Sequence, residues 1–147
     1  MKYFVILFLV CNSVYCQQTQ IDFKTAQANL KVNAETREVT GSVVYTLNVL
    51  KAVDTIKIDA QNMVFTNVKF GRKTVKTNNT GKQLQLIRKF KKGKHKISFD
   101  YVAKPKQTMY FIGSGENAQI WTQGQGKYTS HWFPSFDDVN EKVVFNI

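Results

Sequence analysis

Apolar residues recur along most of this chain with a period of two, and no stripe at helical spacing interrupts them. That period marks extended strands with one face turned inward. Phe23 to Asn33 alternates, with Ala26, Ala28, Leu30 and Val32 on one face and Lys24, Gln27, Asn29 and Lys31 on the other or at its edges. A polar break at Ala34–Arg37 precedes a β-branched run from Glu38 to Leu50. Thr55–Ala60 and Met63–Phe70 are short alternating segments, and Gly71-Arg72 and Asn78-Asn79-Thr80-Gly81 read as turns because Gly and Asn tolerate positive φ. Lys82–Phe90 and His95–Val102 flank the turn Lys91-Lys92-Gly93-Lys94 and read as a hairpin. Many short strands at this spacing predict an all-β sandwich.

Beyond Pro105 the texture changes. Met109 to Trp121 is aromatic with glycines among its residues, Gly124 and Gly126 bracket Gln125, and Trp132-Phe133-Pro134 leads into Asp137-Asp138. Val143–Ile147 has the pattern of a strand, so the expectation is a domain that continues past residue 147.

The first sixteen residues depart from the strand pattern. Lys2 precedes an apolar run, Tyr3 to Cys11, of the length of a signal-peptide core and far short of the roughly 20 residues a membrane span needs. Val14 and Cys16 suit the −3 and −1 positions of a cleavage site. Residues 1–16 are therefore expected to be a cleaved signal peptide and residues 17–147 one exported β domain with no transmembrane segment. Acylation of Cys11 or Cys16, giving a lipoprotein, is the alternative. Cleaved before Gln17, the chain keeps no cysteine and uses no disulfide in an oxidising compartment.

Charge changes the picture in one region only. The 147 residues carry 21 Lys or Arg and 10 Asp or Glu, a net +11. Lys69 to Lys106 holds thirteen basic residues against the acid Asp100, a net +12, which leaves −1 for everything else. Clustered lysines neutralise phosphates, yet no nucleic-acid motif frames Phe70, Phe90, Phe99 and Tyr101, and Phe99 and Tyr101 are assigned to different faces. The block reads as a solvated face that protects strand edges, with no nucleic-acid partner.

Other candidate chemistry yields to plainer readings. Gly113-Ser114-Gly115-Glu116-Asn117-Ala118 mimics a dinucleotide fingerprint, but the strand pattern Gln119–Thr122 follows where that mechanism needs a helix. His95 and His131 have no second ligand at helical spacing, and H-E-x-x-H is missing from these residues. Asp137 and Asp138, adjacent in an extended segment, point apart and suit a structural role. Asn78-Asn79-Thr80 fits an N-glycosylation sequon and is assigned to the turn.

Several blocks, in order, resemble the N-terminal domain of zinc aminopeptidases of the aminopeptidase N / leukotriene hydrolase family (the gluzincins). Thr122-Gln123-Gly124-Gln125 is similar to the family's T-Q-x-[QE], and Trp132-Phe133-Pro134-Ser135-Phe136-Asp137 to its W/F-P-C-x-D-x-P stretch, before Lys142 and a strand. Upstream, Gly41, Ile56-Lys57-Ile58-Asp59-Ala60 and the run Lys92–Ile97 with Tyr101 and Pro105 agree. Ser130, Ser135 and Val139 depart from the usual arginine, cysteine and proline.

The resemblance implies a saddle-like β-sandwich of antiparallel and mixed strands that packs on a thermolysin-like catalytic domain. It implies that Gln123 and Gln125 reach the N-terminus of a peptide substrate, where side-chain amide oxygens accept from an ammonium group. It implies zinc in the full-length enzyme and none bound by this chain, which has no catalytic residue of its own. A free-standing exported β-sandwich that binds a protein or polysaccharide through its basic face is the competing expectation.

Overall fold

The computed structural model describes residues 17–124 and 127–147, the side chain of Gln18 aside; the leader expected over residues 1–16 lies outside the described residues. Eleven strands are described, β1 (Ile21–Asn33), β2 (Glu38–Val49), β3 (Val53–Asp59), β4 (Val64–Phe70), β5 (Lys73–Thr74), β6 (Lys76–Asn79), β7 (Gln83–Phe90), β8 (Gly93–Ala103), β9 (Met109–Ile112), β10 (Gln119–Thr122) and β11 (Val144–Asn146). They form a six-stranded sheet in the order β11-β1-β2-β8-β4-β5, a three-stranded sheet β3-β7-β6 and the pair β10-β9. All described pairings are antiparallel except β1 with β11. The fold is an all-β sandwich, as the period of two predicts.

The two larger sheets share one core. Val43, Tyr45, Leu47, Ile97, Phe99 and Tyr101 come from the six-stranded sheet, and Ile56, Ile58, Leu84 and Leu86 from the three-stranded one. Phe99 and Tyr101, two residues apart, both point inward, which corrects their assignment to different faces; a strand returns to the same face every second residue. Phe23 and Ala26 are also both buried although three apart, because the β1–β2 register shifts between Phe23 and Thr25. The bulge resets the alternation. At Gly41 the sheet accepts no side chain: an added Cβ would lie 2.7 Å from the Tyr101 ring and 2.6 Å from Leu30.

The expected hairpin of Lys82–Phe90 with His95–Val102 is not formed. β7 pairs with β3 and β6, whereas β8 pairs with β2 and β4. The turn between them carries the chain from one sheet to the other. Each strand has one apolar stripe, and the two stripes meet across the core rather than lying side by side. Asn78 and Asn79, read as turn residues, end strand β6, with Thr80 and Gly81 turning behind them. Gly113–Ala118 is the expected loop between strands, with a short 3-10 turn at Gly115–Asn117.

Candidate functional site

Strand β10 runs antiparallel to β9, with Trp121 opposite Tyr110 and Thr122 opposite Met109. The Tyr110 and Trp121 rings stack with centroids 4.4 Å apart, which fixes the pair just before the chain reaches Gln123.

One residue then holds both limbs of the following loop. Thr108 is buried, with φ at 65°. Its carbonyl accepts from the Gln123 N–H at 2.8 Å, and its hydroxyl donates to the Tyr128 carbonyl at 3.0 Å. The segment from Gln123 to Tyr128 is thus pinched at its base. Gly124 sits close to the returning limb, since a Cβ there would stand 3.0 Å from Thr129 Oγ1. The Gln123 side chain is exposed; Gln125 and Gly126 lie outside the described residues.

A polar clamp holds the far limb. Tyr128 takes left-handed φ at 77°. Its N–H donates to Asp137 Oδ1 at 3.1 Å, and the Ser130 hydroxyl donates to Asp137 Oδ2 at 2.7 Å. Asp59 repeats the device on the other side: Oδ2 accepts from the Asp137 N–H at 2.9 Å and Oδ1 from the Gln83 amide at 2.8 Å. Asp59 and Ser135 also exchange two backbone bonds of 2.9 Å, and the Gln61 N–H reaches the Ser130 carbonyl at 2.8 Å.

Two tyrosines rise from the core to the same segment. The Tyr45 hydroxyl donates to the Pro134 carbonyl at 2.5 Å and that of Tyr101 to the Trp132 carbonyl at 3.1 Å. Burial drives both phenols well above the ordinary tyrosine range, which favours the protonated, donating form. The blocks Ile56–Ala60 and Trp132–Asp137, separate in sequence, therefore meet as one support for the limb Tyr128–Ser130.

Asp137 serves this support as a hydrogen-bond acceptor, in agreement with a structural role. His95 Nε2 lies 2.9 Å from the Lys91 carbonyl and its ring packs on Phe70, while His131 Nε2 lies 2.8 Å from the Gln107 amide nitrogen. Among the described residues no three His, Cys, Asp or Glu side chains come together in a way that could hold a metal ion. Among the described residues no helix is long and apolar enough to cross a membrane.

A sequence profile of the peptidase M1 N-terminal domain matches residues 20–147. The chain belongs to that family. This M1 N-terminal domain superposes on an M1 zinc metallopeptidase from Deinococcus radiodurans, a mutant solved with a Tyr-Ser-Ala substrate, at a TM-score of 0.72 and 13% identity over 87% of the chain. Against yeast LTA4 hydrolase in complex with bestatin the TM-score is 0.73 at 17% identity over 92% of the chain. At such identities the likeness is one of fold. The M1 N-terminal domain described here spans 32% of the first of those proteins and 24% of the second. No curated protein sequence matches it.

Sequence reasoning named Gln123 and Gln125 through the resemblance and Tyr101 only as part of a matching block, and it missed Thr108 and Tyr45. A threonine at positive φ runs against the preference of β-branched residues, so no local pattern announces it. The two tyrosines look like ordinary inward strand residues until the segment they hold is in place.

Proposed function

We propose that this chain is the domain of an exported zinc metallo-aminopeptidase that recognises the free N-terminus of the peptide substrate. Such an enzyme removes N-terminal amino acids from peptides. Gln123 and Gln125 supply amide oxygens that accept hydrogen bonds from the substrate's α-ammonium group, a demand that neutral acceptors meet without burying a counter-charge. Membership of the M1 N-terminal family over residues 20–147 carries the reading. The double hold of Thr108 on Gln123 and Tyr128 supports it, because those two hydrogen bonds fix the backbone of Gln123 as it leaves strand β10. Zinc and its ligands belong to a thermolysin-like catalytic domain on which this one packs, and the chain by itself is inactive.

The test has two arms. This chain alone, with or without added zinc, turns over no aminoacyl-nitroanilide; measurable zinc-dependent hydrolysis overturns the assignment. In a form carrying the catalytic domain, Gln125→Ala raises KM by about tenfold, the scale of one lost hydrogen bond to a charged group. Its unfolding midpoint stays unchanged. An unaltered KM and kcat would remove Gln125 from the site.

A further inference from the structure

The basic block of the sequence does not spread over a face of the folded chain. Strand β4 ends beside the start of β8, with Lys69 opposite Ser98 and the Gly71 N–H bonded to the Lys96 carbonyl at 2.8 Å. The β7–β8 turn lies at that same end, since the Arg88 guanidinium sits 5.2 Å from the Phe70 ring centroid and 5.9 Å from that of Phe90. Two turns far apart in sequence therefore become neighbours. Lys69, Arg72 and Lys73 come from the first, and the stretch Arg88–Lys96 adds six more basic residues. All nine are exposed, and neither turn contains an acid. Sequence patterning assigned these charges to strand-edge protection; nine of them on two adjoining tips are more than that role needs.

The chemistry of the patch selects its partner. Seven of the nine are lysines, strongly hydrated point charges without the planar fork that reads single phosphates. The aromatic rings of the region lie under the charge: Phe90 is buried, Phe70 half-buried against Phe90 at 4.8 Å, and His95 half-buried on Phe70. No ring stands out to stack on a base or a sugar, as single-stranded nucleic-acid binding requires. Protruding turns of lysine suit a flat field of negative charge. We propose that this end of the sandwich is a docking surface for an anionic lipid bilayer, held by electrostatic attraction without insertion. The surface is independent of the aminopeptidase reading and would bring an exported domain to the membrane face.

Vesicle co-sedimentation tests it with the chain expressed from Gln17. At about 50 mM salt the protein pellets with vesicles of phosphatidylcholine containing about a third phosphatidylglycerol and stays in solution with phosphatidylcholine alone; about 0.5 M salt releases it. The triple variant Lys91→Gln, Lys92→Gln, Lys94→Gln weakens partitioning at least about tenfold without lowering the thermal midpoint. A control triple, Lys31→Gln, Lys82→Gln, Lys142→Gln, removes the same charge elsewhere and retains most of the binding. Failure to pellet with anionic vesicles at low salt overturns the proposal, and so does equal loss in the two triples. Retention by heparin or duplex DNA without vesicle binding overturns it in favour of a soluble polyanion.

Discussion

Three hydroxyls on or against the Trp132–Ser135 segment have opposite energetic signs. Those of Tyr45 and Tyr101 reach backbone carbonyls of that segment, whereas the Ser135 hydroxyl is buried without a hydrogen-bond partner. An unpaired buried hydroxyl carries its desolvation penalty with nothing to offset it. Ser135→Ala is therefore expected to stabilise the chain by about 1 kcal/mol, and Tyr45→Phe to destabilise it by about 1–2 kcal/mol by leaving the Pro134 carbonyl unmet. Urea unfolding of the two variants checks the pair, and shifts of the same sign would break the account. Sequence reasoning named Ser135 only as a departure from the usual cysteine. Whether a small polar residue finds a partner depends on neighbours from β3, which the one-dimensional pattern does not bring together.

Elements were legible in proportion to how local their causes are. β1, β2, β3 and β4 appear close to where alternation predicts them, because each strand's facing residues are set by its own period. Pairing is a different matter. The basic turn Lys91–Lys94 serves equally to fold β8 back beside β7 or to send it to the opposite sheet, and only the competition for partners β2 and β3 decides. The β1 bulge escaped notice for a similar reason, and it leaves the Phe23 N–H to the Glu141 carboxylate at 3.1 Å. Burial and then the nearby charges of Asp22 and Asp138 raise the Glu141 pKa above the ordinary glutamate value, against the opposing pull of the Phe23 N–H and Lys24. An acid whose folded pKa is raised binds its proton more readily in the folded state. Its contribution to stability therefore falls as pH rises from the ordinary glutamate value through the folded one. Glu141→Gln keeps an oxygen acceptor for Phe23 and removes the charge. The variant should be more stable than the parent at pH 7, with the gap closing below the carboxylate range. A urea midpoint for the variant at or below the parent's at pH 7 would refute this.

On the scale of the whole molecule, charge and packing are segregated. The core is shared by both large sheets, while the excess positive charge collects on two adjoining turns at one end. Self-repulsion there weakens the fold at low ionic strength and is screened once the Debye length falls to about 10 Å near 0.1 M salt. The thermal midpoint should rise between about 20 and 300 mM sodium chloride, and the Lys91, Lys92, Lys94 triple variant should show a smaller rise from a higher starting point. A salt response identical in the two proteins would place the repulsion elsewhere. The sequence displays this block as one continuous stretch, Lys69 to Lys106, that takes in the end of β4, all of β7 and all of β8; their convergence at one end is a property of the sheet order.

The passage of the chain from β7 into β8 also bears on how the sandwich assembles. Residues adjacent along the backbone close opposite walls, so β7 finds its hydrogen-bonding partner β3 only across an intervening stretch that contributes β4 to the other wall. Neither wall can be finished as a local event. Closure of the long loops between them must precede most of the reward from burial, the circumstance that slows folding in proteins of high contact order. The two walls should accordingly rise and melt as one unit, and amide exchange in β7 and β8 should report a single opening.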